Sequence, residues 1–371
     1  MLLRKTDVSR EPDKKRKVEW DMSELIYLKS GLVIKRNSAK ATKNHVRALQ
    51  GDLRQLGYLK RRIDGKFGTG TELAIKALQY DLMHNDGSSR GGDGKAPVSV
   101  LDYNRGRIVD VTGECDEKLA RCIDDMLSDS KFLKLPRSLD PGEDNRKIAS
   151  KIRSMSSIAV PVPFLMAVLK QESGIKHFNE PGKNDDDTYI TVGLDTNAND
   201  KYIITSRGYG AGQYTIFHHP PRREEIKGFI LDVEKNLEKA ISELRYKFDN
   251  FVKGKTSGTR ADDRIAECGK GKLRLCRYGR TDLRYMSDCK TCMIDAGQRE
   301  IRAGVTPFYK GSKHKFFPTH YYRTASYKSI PIRGKIRCDW PYAVRRYNGS
   351  GINSYHYQVR ILRNILLSKA H

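Results

Sequence analysis

Apolar residues fall into a helical rhythm from Asn44 onward: Val46, Leu49, Leu53 and Leu56 recur every three or four positions, and Gly57 stands where a helix stops. A turn follows at Ile63-Asp-Gly-Lys-Phe-Gly68, anchored by Phe67. Thr71 is then placed to cap a second helix whose buried side is Leu73, Ala74, Ala77, Leu78 and Leu82. Upstream, residues 1–40 are charged and weakly periodic and read as a leader, with a short strand at Gly31-Leu-Val-Ile34. The glycine-rich stretch His84–Lys95 reads as an exposed loop. Beyond it, an offset of 48 residues lays Gly113, Cys115, Asp116, Cys122, Ile123 and Met126 on Gly65, Phe67, Gly68, Ala74, Ile75 and Leu78. That register predicts a decayed second half-copy inside a domain spanning 41–133, with Cys115 and Cys122 as buried thiols.

Residues 134–144 have the composition of a linker, and a second domain is expected over 145–371. Ile148, Ile152 and Met155 mark an amphipathic helix. Val160-Pro-Val-Pro163 leads into Phe164-Leu-Met-Ala-Val-Leu169, apolar on every side and therefore buried, with Pro163 suited to the first turn. That helix ends at Gln171-Glu172-Ser173-Gly174. A further helix is predicted over 229–252, with Leu237, Ile241, Leu244, Phe248 and Phe251 on one side, and a C-terminal helix with Tyr355, Val359, Leu362 and Leu366 on one side.

Chemistry enters at Glu172, a carboxylate at the end of a core helix. Low dielectric and the negative end of the helix dipole both disfavour its charged form, which points to the raised pKa of a general acid. The alternative is an ordinary solvated glutamate in a frayed last turn. Two more segments bear on the choice. In Gly208-Tyr-Gly-Ala-Gly-Gln213 repeated glycine lets backbone approach a ligand, and Gln213 offers donor and acceptor. Tyr342-Ala-Val-Arg-Arg-Tyr347-Asn348-Gly349 presents an aromatic face and an amide at a helix end.

Two family resemblances organise these segments. Leu49-Gln50, Leu56-Gly57-Tyr58, Asp64 to Gly68, Thr71, Ala74 and Leu78-Gln79 resemble the peptidoglycan-binding type 1 domain over about 40 residues. Glu172-Ser173, Gly210-Ala-Gly-Gln213, Tyr347-Asn348-Gly349 and Tyr355 or Tyr357 resemble, in order and separation, the lytic transglycosylases of the soluble type, glycoside hydrolase family 23. The likeness departs at Ala211-Gly212, where that family has bulkier residues, and at Arg346. It implies a mainly α protein: a small three-helix peptidoglycan-binding-like domain, then a lysozyme-like α-helical catalytic domain with a cysteine-rich insertion at about 253–335. It further implies that Glu172 protonates the oxygen joining N-acetylmuramic acid to N-acetylglucosamine, then deprotonates the muramyl C6 hydroxyl as a 1,6-anhydro ring closes. Ser173, Gly210, Gln213, Tyr347, Asn348 and Tyr355 are implied to hold the sugars, and no cofactor is expected. A goose-type lysozyme, the hydrolysing relative, needs a second carboxylate, for which Asp185, Asp186, Asp187 and Asp195 are candidates, although their run reads as a solvated loop. A wall-anchoring structural protein without activity is the rival from another class.

Composition narrows the setting. The chain has 371 residues, 38% of them apolar, enough for two to three folded domains at about 150 residues each. Seventy basic against 45 acidic residues give a net charge of +25, a surface that seeks polyanions: wall polymers, phosphate-rich membrane faces or nucleic acid. A nucleic-acid binder using the basic cysteine-rich segment is the weaker rival, and Lys14 to Lys17 read as a solvated tail. No apolar run is long enough to span a bilayer. The first residues lack a signal peptide, so the expectation is action in the periplasm or cell wall after phage lysis, from a phage tail, or through a contact-dependent secretion apparatus. Cys268, Cys276, Cys289 and Cys292 have spacings open to two disulfides, a tetrahedral zinc or free thiols. His314 and His320 read as packing or surface residues.

Overall fold

The computed structural model describes residues 25–60, 62–89, 91–155, 160–252 and 339–348, with Tyr357, Arg360, Ile361, Asn364 and Ile365 of a C-terminal helical segment. Helix α1 (Lys43–Gln55) starts at Thr42, whose hydroxyl accepts the His45 amide while His45 Nδ1 accepts the Thr42 amide. Its stripe of Val46, Leu49 and Leu53 is buried, as is Leu56 beyond its end. Gln50, also buried, organises the turn that follows. Its Nε2 donates to Asp64 Oδ1 (3.1 Å), the Lys66 carbonyl (3.1 Å) and Thr71 Oγ1 (3.0 Å), and its Oε1 accepts the Gly65 amide at 2.7 Å. Thr71 is therefore not the cap expected for α2 (Thr69–His84): it lies within the first turn, its hydroxyl turned inward to Gln50.

The turn before α3 has bonds of the same kind as the turn before α2. Gln79 on α2 repeats the role of Gln50, donating to Thr112 Oγ1 (2.9 Å) and the Glu114 carbonyl (3.1 Å) and accepting the Gly113 amide at 2.8 Å. Gly65 and Gly113 both turn left-handed, at φ of +71° and +76°. Asp116 caps α3 (Glu117–Ser128) by accepting the Leu119 amide. Cys115 and Cys122 are free and buried in the core of the three helices, and burial pushes both thiols up. The leader reading fails for residues 25–40: Leu25, Tyr27, Leu32 and Ile34 are buried in that same core, and Ile34 bridges Cys115. Residues 1–24 lie outside the described residues.

The second half runs α4 (Pro141–Met155), α5 (Val162–Ser173), strands β1 (Val192–Thr196), β2 (Ile204–Tyr209) and β3 (Tyr214–Ile216), a short α6 (Arg223–Glu225), α7 (Val233–Lys247) and α8 (Asp339–Tyr347). The chain is helix-rich, and the antiparallel sheet in the order β1-β2-β3 is an addition to the mainly α expectation. The helix predicted over 229–252 is interrupted. Asp232 caps α7 by accepting the Glu234 and Lys235 amides, and π-type turns at Ile226–Ile230 and Phe248–Val252 flank it. Trp340 of α8 stacks on Phe248 (4.3 Å between ring centres) and tilts over Phe164 of α5. In the C-terminal segment Tyr357, Ile361 and Ile365 are buried, four residues apart on one side. Of the other predicted features, the C-terminal stripe of Tyr355, Val359, Leu362 and Leu366, the cysteine-rich insertion, His314 and His320 lie outside the described residues.

The acidic run read as a solvated loop is the seam between the halves. Asp187 pairs with Arg54 at 2.5 Å, both side chains 3% exposed, and Arg54 also donates to the Leu59 carbonyl. Asp185 accepts the Ile63 amide at 3.0 Å, and Asp186 pairs with Arg47 at 3.0 Å in a more exposed setting. From β2, Arg207 reaches into the helical unit to pair with Asp81 (3.2 Å) and donate to the Gly57 carbonyl (3.2 Å), its guanidinium over the Tyr58 ring. Residues 134–144 do not behave as a free linker: Leu135 is buried and donates its amide to the Gln55 carbonyl, Ser138 bonds the Thr188 carbonyl, and α4 begins at Pro141.

Removing one partner of a buried pair strands the other charge, whereas an exposed pair contributes little. Asp187→Ala is expected to lower the unfolding free energy by about 3 kcal/mol or more. Asp186→Ala should cost less than about 1 kcal/mol. Urea unfolding of both variants checks this, and equal effects would refute the seam as described.

Candidate functional site

Helix α5 has Phe164, Leu165, Ala167, Val168 and Leu169 buried, so its axis is fixed by packing around the turns before Glu172. Gly174 then turns left-handed at φ +69°, and Ile175 follows at φ +62°, a region a β-branched residue rarely enters. The strained turn is pinned from both sides. The Ile175 amide donates to the Leu169 carbonyl, and buried Asn145 accepts the His177 and Phe178 amides at 2.8 and 3.1 Å.

Glu172 is partly buried, and its Oε1 accepts the Tyr357 hydroxyl at 2.5 Å. Burial raises its pKa, as does the nearby negative charge of Asp195; the Tyr357 hydrogen bond and the positive charges of Lys60 and Arg360 oppose the shift. The rings of Tyr357 and Tyr347 lie 6.4 Å apart with planes 21° from parallel. Burial, and then the Glu172 charge, push both phenols up, so each stays a neutral donor.

Gly210 to Gln213 is tied to α5 and α7. Ser173 Oγ donates to the Ala211 carbonyl at 2.9 Å. His177 Nε2 lies 2.8 Å from the Ile230 carbonyl, which only accepts, so the proton sits on Nε2 and Nδ1 accepts the Ala211 amide at 3.2 Å. Fully buried Asn236 of α7 accepts the Gly212 amide at 2.7 Å and donates to the carbonyls of Tyr209 and Phe229. A Cβ on Gly212 would stand 2.6 Å from the Asn236 carbonyl oxygen, and Ala211 is fully buried. The small residues at 211 and 212 thus follow from the close approach of α7. Gln213, at φ +51°, donates Nε2 to the Gly210 carbonyl, and its Oε1 fills the space left by Gly193 and Gly208 on the adjoining strands.

The expected site residues therefore divide. Glu172, Ser173, Gly210 and Gln213 lie around one strained turn and one loop, with Tyr347 beside them through Tyr357. Asn348 is exposed just past α8, while Gly349 and Tyr355 lie outside the described residues, and the described tyrosine of the pair, Tyr357, is the one on Glu172. Of the four candidate second carboxylates, Asp185, Asp186 and Asp187 are used at the seam. Asp195 alone acts on Glu172, from β1, where it accepts the Ser206 hydroxyl at 3.0 Å. Lys60 arrives from the N-terminal half, its Nζ 3.4 Å from the Leu194 carbonyl. The supporting residues Asn145, His177 and Asn236 were not anticipated. Asn236 left a trace as a polar residue beside Leu237 on the buried face of α7. Among the described residues no group of three or more His, Cys, Asp or Glu could hold a metal, and no helix is long and apolar enough to cross a membrane.

Residues 42–82 match the family of peptidoglycan binding domains. No curated protein and no solved structure matches the chain. The matched stretch contains α1, the Gln50-centred turn and most of α2. It supports peptidoglycan as a partner and association with the cell wall.

Burial pushes the His177 pKa down from 6.5 to about 4, outweighing the Ile230 bond, so the fold favours the neutral ring. The stability this confers is complete above pH 6.5 and is lost as pH falls toward 4, a difference of about 3 kcal/mol. His177→Gln should remove that part of the acid sensitivity. Denaturant titrations of both proteins at pH 7 and pH 4 measure it, and identical losses in the two would contradict the assignment.

Proposed function

We propose that the protein binds peptidoglycan through its N-terminal half and cleaves the glycan strand between N-acetylmuramic acid and N-acetylglucosamine with Glu172 as the proton donor. The observation that supports this reading is a carboxyl group whose pKa is raised by burial, held by the Tyr357 hydroxyl and set beside the Gln213 loop. A carboxyl whose pKa is raised holds its proton more readily for donation to the departing glycosidic oxygen as positive charge develops at the muramyl carbon. The Tyr357 hydroxyl then stabilises the carboxylate that results. In the next step Glu172 takes the proton of the muramyl C6 hydroxyl while that oxygen closes on the same carbon, giving a 1,6-anhydro end. One carboxylate serves both steps, and water is not consumed.

Hydrolysis by a muramidase of the goose-lysozyme kind is the second reading, and Asp195 is the observation that favours it. It is the carboxylate that raises the Glu172 pKa, and it lies on an exposed stretch of β1 where it could activate a water. A wall-anchoring role without cleavage is the third reading and requires only the peptidoglycan-binding domain.

Glu172→Gln keeps the shape and removes the proton. Muropeptide release from sacculi should fall about 10²–10⁴-fold while sacculus binding persists. Because the folded protein holds the charged carboxylate at a disadvantage, the same variant should melt at or above the wild-type temperature at pH 7. Unchanged release would defeat the catalytic assignment, and no release by the wild type would leave the anchoring role.

Mass spectrometry of the released sugars with Asp195→Asn separates the first two readings. Transglycosylation predicts anhydro ends, lighter by one water, with Asp195→Asn retaining activity. Reducing ends and an inactive Asp195→Asn would replace it with hydrolysis.

A further inference from the structure

A recess of about 150 Å³ opens where the end of α2 meets β2 and the segment after β3. Whole drug-sized ligands occupy about 300–1,000 Å³, so this one has the size for a single small ring. It is not part of the Glu172 site. Ser206 bonds Asp195, the carboxylate that acts on Glu172, whereas Arg207, next along β2, lines the recess. Successive side chains of a strand point to opposite faces, so the two sites lie on different sides of β2.

The charges that line the recess are already matched. Arg207 pairs with Asp81 at 3.2 Å, both side chains buried, and Asp81 also accepts the Tyr58 hydroxyl at 2.9 Å. Asp86 stands at the exposed rim, bound by the Ser88 amide at 2.9 Å. What is left open is neutral. His219, which lines the recess, is 2% exposed, and neither of its ring nitrogens closes a hydrogen bond among the described residues. Burial and the Arg207 charge push its pKa far down, outweighing the approach of the Leu56 backbone, so the ring carries one donor and one acceptor. A buried polar group without a partner is costly, and an occupant of the recess supplies the partner. Phe217 adds an apolar face: it is 42% exposed, with one side covered by Gly91, where a Cβ would overlap its ring. Tyr80 and His84, ring centres 4.5 Å apart, add a hydroxyl and a second aromatic surface.

We propose that this recess is a non-catalytic sugar subsite that takes one N-acetylglucosamine ring of a glycan strand, on the side of the sheet away from Glu172. Paired charges offer nothing to an ionic ligand, which excludes the lactyl carboxylate of a muramyl ring. Neutral donors and acceptors beside an exposed aromatic face suit an uncharged ring whose C–H face stacks while its hydroxyls and acetamido group hydrogen-bond. Both halves build the subsite: Tyr80 belongs to the matched domain, and Phe217 and His219 to the segment packed on it. This inference rests on the wall-binding role and not on cleavage, so it stands or falls apart from Glu172.

The test is calorimetric titration of the full-length protein with the β-1,4-linked tetramer of N-acetylglucosamine. Phe217→Ala, which removes the stacking face, is expected to weaken binding about tenfold. His219→Phe keeps a ring in place and removes both polar atoms. It should weaken binding to a similar degree while the melting temperature holds or rises, because a buried unpartnered polar group is lost. A purely structural histidine would leave binding unmoved. Since no charge takes part, raising salt from about 0.05 to about 0.5 M should change the affinity less than about twofold. Should Phe217→Ala fail to fold, His219→Phe and the salt series decide. Tetramer binding that is unchanged in both variants, at Glu172 or elsewhere, overturns the inference, and so does an affinity that falls about tenfold with salt. A wild type that retains sacculi yet ignores the tetramer overturns the inference and leaves the wall-binding role standing. One that retains no sacculi overturns that role, and the inference with it.

Discussion

The buried pair of Arg54 and Asp187 is the constraint from which the rest of the arrangement follows. Two charges removed from water hold together only with strong partners, and here Arg54 is bound by Asp187 and the Leu59 carbonyl while Asp187 is bound again by Asn179 and the Tyr189 amide. Through Leu59 the pair fixes the position of Lys60, and through Tyr189 it fixes the entry to β1. The pair thereby ties the helix of the matched domain to the segment that leads into the strand carrying Asp195. Arg207 and Asp81 repeat the device from the opposite side of the seam.

The Glu172 turn and the loop beside it are held by buried polar residues. Asn145 holds the backbone after the turn, His177 holds Ala211, and Asn236 holds Gly212. Two residues in left-handed backbone conformations, Ile175 and Gln213, sit at the two ends of this network. Strain of that kind persists only where surrounding bonds over-determine the backbone, and the three buried side chains provide them. The same low dielectric that strengthens these bonds raises the Glu172 pKa, so the support of the site and its acidity have one origin.

Legibility in the sequence tracked the range of the interactions. The helices of the N-terminal half and the Asp-Gly turn were readable because their apolar stripes and the Gln50 bond to Gly65, 15 residues on, are short-range. The burial of α5 was readable from its uninterrupted apolar run. The strands were not: β2 reads Ile-Thr-Ser-Arg-Gly-Tyr, buried along most of its length yet half polar, because Ser206 bonds Asp195 across the sheet and Arg207 meets Asp81 far away in the chain. The acidic run misled for the same reason. Three consecutive aspartates look solvated until the partners Arg54, Arg47 and Ile63, more than a hundred residues earlier, are brought against them.

The charge pattern around Glu172 gives a last reason for the two halves to be joined rather than tethered. In the proposed reaction a carboxyl gives up a proton and later takes one back, which requires both of its states to be within reach. Burial and Asp195 favour the protonated state, and Tyr357, Lys60 and Arg360 favour the ionised one. Lys60 belongs to the N-terminal half and Arg360 to the C-terminal segment, so the balance exists only when elements from both ends of the chain meet over α5. A flexible linker would let the Lys60 charge recede beyond the screening length of about 8 Å at physiological salt, and the proton affinity of Glu172 would then rise further. Fixing the seam with buried pairs keeps the Lys60 charge where it opposes the upward shift that burial and Asp195 impose on Glu172.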